Sequence, residues 1–177
     1  MEIGFEISHA LKYGKHKASR TKAERVIGAA SLIEDVVNSC ATKLELTLPG
    51  KMHVYLRTSK YDLGGAHVTS ACMDNATIEV DPRQTITGSI ATICHELVHV
   101  SQALAGDIKY KLDIMEDRSI KWIAYWEGSP YPDDDSPEFY DNCPWEIDAN
   151  ARGHLMMMQF KRAAYTPYKI LKKYKRN

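Results

Sequence analysis

The chain has 177 residues, 44% of them hydrophobic and 26% charged, proportions of a soluble globular protein with room for one core, so a single domain over residues 1–177 is expected. Its 23 basic and 23 acidic residues cancel, which gives no global pull toward nucleic acid or a membrane surface. Met1–Glu6 lacks a basic leader ahead of an apolar run, and no stretch reaches the roughly 18 apolar residues a membrane span needs, so a cytoplasmic protein is expected.

In chain order, Thr21-Lys22-Ala23-Glu24 has the form of a capping box. Apolar residues then recur at helical spacing through Ile27, Ala30, Ile33, Val37, Cys40 and Leu44, which predicts a long helix over about 21–43. Pro49-Gly50 breaks the chain, and Met52 to Arg57 alternates with β-branched and aromatic residues, a strand signature. Ala66 to Cys72 and Ala76 to Val80 are two further strand candidates; Met73-Asp74-Asn75 between them tolerates the left-handed conformations of a hairpin turn. These segments predict a small antiparallel or mixed sheet.

Asp81-Pro82 ends the sheet, and Thr87 to Ala105 turns helical on Ile90, Ile93, Leu97, Val98 and Leu104, with Gly106 as its stop. Lys121 to Trp126 reads equally as a strand or a helical turn. Gly128 to Pro137, with three prolines and Asp133-Asp134-Asp135, reads as a surface loop. A further helix is expected from Pro144 to about Ala164, since proline suits a first helical turn. Beyond about residue 165 the chain becomes a basic tail. Residues 133–148 hold seven acids and no base, whereas residues 161–176 hold seven bases and no acid, which marks two oppositely charged solvated surfaces.

The chemistry sits in His95-Glu96-Leu97-Val98-His99, in the middle of the predicted helix. Side chains at i and i+4 lie about 5–6 Å apart on one helix face, so two imidazoles can reach one zinc ion, with Glu96 beside them as general base. A hydrolytic site needs a third protein ligand and an open fourth position. The metzincin continuation HExxHxxGxxH is excluded, because Gln102 and Ala105 occupy its glycine and histidine positions. The HExxHxxxxH spacing of SprT-like proteases fails at Leu104. A carboxylate from the downstream helix is left, and Glu146 is the best placed, with Asp148 as runner-up. Ala149, Asn150 and Gly153, at i+3, i+4 and i+7 from Glu146, would let the two helices approach closely. The competing role for Glu146 is to stabilise the helix N-terminus.

Other residues carry less. Cys40, Cys72, Cys94 and Cys143 form no CxxC pair, so reduced thiols in a cytosol-like compartment are expected, with Cys94 packed in the core. His53, His67 and His154 stand singly and are not assigned as ligands. Met156-Met157-Met158 reads as helix packing. Tyr131, Tyr140 and Tyr165 are candidate oxyanion donors, since a phenol can hydrogen-bond a developing negative charge.

His95-Glu96-Leu97-Val98-His99 followed by Glu146-Ile147-Asp148-Ala149-Asn150 resembles the gluzincin layout, HExxH plus a downstream ExxA helix. It is most similar to small metallopeptidases of the ImmA/IrrE type and their phage-borne relatives, over about residues 66–160. The resemblance implies an α+β, zincin-like fold, a zinc cofactor and hydrolysis of peptide bonds, with a peptide or protein as substrate. It further implies that the strand Ala76 to Val80, or its hairpin partner, borders the cleft and pairs with an extended substrate. Two rivals stand beside it: a catalytically silent zincin fold binding a protein partner through residues 122–140, and a nucleic-acid-associated factor using the basic tail.

Overall fold

A computed structural model describes residues 1–13, 17–57, 66–114, 118–131 and 142–174; the side chains of 165–174 and of several others, Trp122 among them, lie outside that description. The elements run β1 (Glu2–Ile7), α1 (His9–Tyr13), α2 (Lys17–Ile27), α3 (Ala30–Ala41), β2 (Lys51–Leu56), β3 (Ala66–Ala71), β4 (Asn75–Val80), α4 (Ile86–Ala105), β5 (Ile108–Ile114), β6 (Ile120–Trp126), β7 (Ser129–Tyr131) and α5 (Pro144–Tyr174). Helices and small sheets are thus mixed. Among the described residues, no helix is long and apolar enough to cross a membrane.

The first sheet has the order β1-β2-β4-β3. β1 pairs parallel to β2, β2 parallel to β4, and β3 antiparallel to β4, so the sheet is mixed and the β3–β4 hairpin is its antiparallel part. Registry places Met52 beside Ala76, Val54 beside Ile78 and Leu56 beside Val80. All six are buried, while Lys51, His53 and Asn75 on the alternate positions are exposed, as a period of two requires of a sheet covered on one face. α4 covers that face against β3 and β4, and α3 lies against β1.

α4 is the centre of the core. Thr85 caps its start by accepting from the Gly88 amide at 2.9 Å, and Gly106 ends it at φ 81°, a left-handed conformation glycine adopts without a Cβ penalty. Ile90, Ile93, Leu97, Val98 and Val100 are buried nearly all round it because the sheet lies on one side and α5 on another.

The structure corrects several expectations. The single helix over 21–43 is two helices, α2 and α3, separated at Gly28-Ala29, where the Ala29 amide turns to the Val26 carbonyl three residues back. α2 already begins at Lys17, so Thr21 lies inside a helix and does not open one. Of the apolar stripe read from the sequence, Ile33, Val37 and Cys40 are buried and Ile27, Ala30 and Leu44 half-buried, while in α2 the buried positions are Ala23 and Val26. β1, which was not expected, is an edge strand whose partner is about 50 residues away. Residues 120–126 are a strand, and Ser129–Tyr131, read as loop, pairs with it as β7; the rest of that loop reading, residues 132–137, falls outside the described residues. α5 continues past Ala164 to Tyr174. All four cysteines are free thiols, and burial, with Cys40 nearby, pushes Cys94 up to about 12, which fits a packing role. Met156 and Met157 are buried and Met158 is exposed, as one face of a packed helix requires.

The second sheet, β5-β6-β7, is an antiparallel hairpin with a short third strand. At its base Ile108, Ala124, Trp126 and Tyr131 pack with Cys143 and Trp145, so it is joined to the start of α5. Farther out, Tyr110, Leu112, Ile114 and Ile120 are exposed.

Candidate metal centre

Close approach of α4 and α5 creates the site. At Gly153 an added Cβ would lie 3.0 Å from Cα and 3.1 Å from the backbone nitrogen of His95, a separation only glycine permits without moving one helix. Ala149 is buried on the same face. Asn150, expected to share it, is exposed instead: the i+4 position has rotated off the contact and i+3 and i+7 carry it.

His95 and His99 project from successive turns of α4, and Glu146 from the first turn of α5, behind Pro144. Their Nε2 atoms are 3.0 Å apart, and the Glu146 carboxylate spans them, with Oε2 3.3 Å from His95 Nε2 and Oε1 3.2 Å from His99 Nε2. These ligand atoms all lie within 4.8 Å of one another, so the three residues form a group that could hold a metal ion. Glu146 is 4% exposed, and the two rings retain partial access to solvent. The Glu146 side chain, for which helix capping was the alternative, has both oxygens on the imidazoles.

The donor set fits a metal on two grounds. Atoms bound to zinc at about 2.0–2.1 Å in tetrahedral array are about 3.3–3.4 Å apart, close to the three separations found here. Secondly, two imidazole lone pairs at 3.0 Å repel each other unless a cation or a shared proton lies between them. Two neutral nitrogens and one carboxylate are a borderline set that suits zinc and other late divalent ions.

His99 is held from behind. Its Nδ1 lies 2.8 Å from Gln102 Oε1, and Gln102 Nε2 donates to the Trp145 carbonyl at 2.9 Å and to Asp148 Oδ2 at 2.8 Å. Asp148 is also ion-paired with Arg152, whose other nitrogen donates to the Leu44 carbonyl at 3.2 Å. Asp148, the runner-up ligand, is thus engaged away from the cluster. Burial alone lowers the pKa of His99, but the hydrogen bond and charge of Glu146, then Gln102 and Glu96, outweigh it and leave it raised above 6.5.

Glu96, the residue after His95, is 8% exposed and close enough to His99 for its charge to act on that ring. Tyr131 stands edge-on to Trp145, the residue before Glu146, at 5.0 Å between ring centroids. Tyr140 lies outside the described residues, as does the side chain of Tyr165. A cleft of about 440 Å³ is lined by the Asp148–Arg152 pair together with Trp126, Glu127 and Lys43; none of the three cluster residues lines it. The sequence reading missed the Gln102–Asp148–Arg152 network. Its one signal was Gln102 three residues after His99, on the same helix face.

No protein-family model matches the chain, and no curated protein or solved structure matches it either. What the site can do is therefore read from its own chemistry.

Proposed function

We propose that the chain is a zinc-dependent peptidase on a zincin-like α+β fold, with zinc held by His95, His99 and Glu146. The observation that carries this reading is the convergence of two imidazole nitrogens and a carboxylate at separations of 3.0 to 3.3 Å, from two helices brought together by Gly153. When bound, zinc supplies a Lewis acid that brings the pKa of a coordinated water to about 7.

The chain's own residues do the rest. His95 and His99 present neutral Nε2 atoms, and Glu146 contributes the negative charge that offsets half of a divalent ion's. Glu96 accepts the proton of the attacking water on its carboxylate and returns it to the departing amine, which would otherwise leave as an unstable anion. β4 lies between β2 and β3, so of the two hairpin strands β3 is the one at the sheet's edge among the described residues; β3 also packs against α4. An extended substrate pairs with that edge, its backbone amides and carbonyls completing the ladder. The test is Glu96→Gln, which keeps zinc stoichiometric but lowers peptide hydrolysis by about 10²–10⁴-fold; retained hydrolysis refutes the assigned base.

A second reading is favoured by the β5–β6 hairpin. Tyr110, Leu112, Ile114 and Ile120 leave a row of large apolar side chains in solvent, a surface suited to a protein partner. On this reading the chain is a zinc-holding binding module: it shows full zinc occupancy, cleaves no member of a peptide library, and loses its partner on Leu112→Ser with Ile114→Ser.

A further inference from the structure

We infer that Gln102 is a positioning residue for the metal centre: it fixes His99 in the one neutral tautomer whose Nε2 can bind a metal. This role rests on the zinc reading above. Gln102 is fully buried, so no water substitutes for a missing hydrogen-bond partner. Its side-chain nitrogen faces two oxygens, the Trp145 carbonyl and the Asp148 carboxylate, and neither has a proton to give while Asp148 is ion-paired with Arg152. Rotating the amide by half a turn would set oxygen against both of them. The amide orientation is thereby fixed, and Oε1 must face His99 Nδ1 at 2.8 Å.

An amide oxygen only accepts, so the proton of that hydrogen bond belongs to Nδ1. Without a metal, Nε2 faces the Glu146 carboxylate at 3.2 Å, which also only accepts; a metal ion that takes the place of that proton meets a ring whose one remaining N–H is already held on Nδ1, so that Nε2 is the nitrogen left to bind it. The chain of contacts runs from the Leu44 carbonyl through Arg152, Asp148 and Gln102 to His99, linking the segment after α3, α5 and α4. It orients the ring as well as its proton, the task that partners behind metal-binding histidines perform in general.

The experiment uses the full chain and zinc itself. Zinc affinity is measured by chelator competition for the wild type, Gln102→Met and Gln102→Glu, and the protonated nitrogen of His99 is assigned from long-range ¹H–¹⁵N spectra of zinc-loaded wild type. Methionine preserves length and offers no comparable acceptor, and it should weaken zinc binding by about 10–100-fold. Glutamate loses both anchoring donations yet keeps an oxygen toward Nδ1, and it should bind zinc about tenfold or more tighter than Gln102→Met does. Equal weakening by the two variants, or a methionine variant that binds like wild type, overturns the role while leaving the zinc reading intact. A zinc-loaded wild type whose His99 carries its proton on Nε2 overturns it however the variants fold. A wild type that takes up no zinc removes the zinc reading and this role together.

Discussion

α4 with α5 and the β5–β7 sheet are neighbours in the chain, yet they treat polarity in opposite ways. Between the helices, polar groups are buried and answered: Gln102 by Trp145 and Asp148, Glu146 by His95 and His99. On the outer part of the hairpin, large apolar groups are left in water, Ile114 at 72% exposure and Ile120, its registry partner, at 62%. A buried polar group costs stability unless its partner is in place, whereas an exposed apolar one costs little in the folded state and gains only when covered. The first region is therefore organised before any ligand arrives; the second leaves its apolar side chains uncovered among the described residues. The base of the hairpin joins them, because Trp126 and Tyr131 stack around Trp145, the residue before Glu146.

The comparison can be broken or sharpened by substitution. Glu146→Ala leaves two imidazoles without their carboxylate and should reduce zinc affinity beyond the roughly 10–100-fold expected for a supporting residue, as read by chelator competition. Leu97→Ala, at a fully buried position in α4, should lower unfolding stability by about 2–5 kcal/mol in denaturant titration. Gly153→Ala forces a Cβ against the His95 backbone; a loss of about 1–3 kcal/mol is expected, with weaker zinc binding because Glu146 is carried away from His95. Leu112→Ser, on the exposed face of the hairpin, should change stability by no more than about 0.5 kcal/mol while making the protein less prone to associate.

Acidity gives a signed prediction of small size. His99 in the metal-free protein has a raised pKa, so its pairing with Glu146 contributes stability that is full below about pH 6.5 and is lost as pH rises through the folded-state value. Zinc acts in the other direction, since it needs the neutral ring. The melting-temperature gain on adding zinc should therefore be larger at pH 8 than at pH 6; an equal gain would mean that His99 is not a ligand.

How much of this was legible in the sequence depended on distance along the chain. α4 could be read almost to the residue, because Gly106 and the apolar spacing before it are local signals, although the Thr85 cap went unread. The His95–His99 pair followed from it at once. Glu146 required a guess about how two helices meet, and small residues at 149 and 153 carried the necessary hint, while Asn150 misled. β1 was missed although Glu2-Ile3-Gly4-Phe5-Glu6-Ile7 alternates polar or small with apolar residues: the segment is short, carries a glycine, and takes its hydrogen bonds from β2 in a distant part of the chain. The break between α2 and α3 escaped notice since the apolar stripe continues through it. Asp148 looked like a spare ligand until its contacts with Gln102 and Arg152 gave it another task; no spacing rule reports a hydrogen bond between residues 46 positions apart.

Anomalous diffraction at the zinc absorption edge tests the central claim most directly. The account predicts one peak, at about 2.0–2.2 Å from Nε2 of His95, from Nε2 of His99 and from a Glu146 oxygen. A zinc-soaked crystal with no peak there, or with its peak at Asp148 or a cysteine, would contradict it.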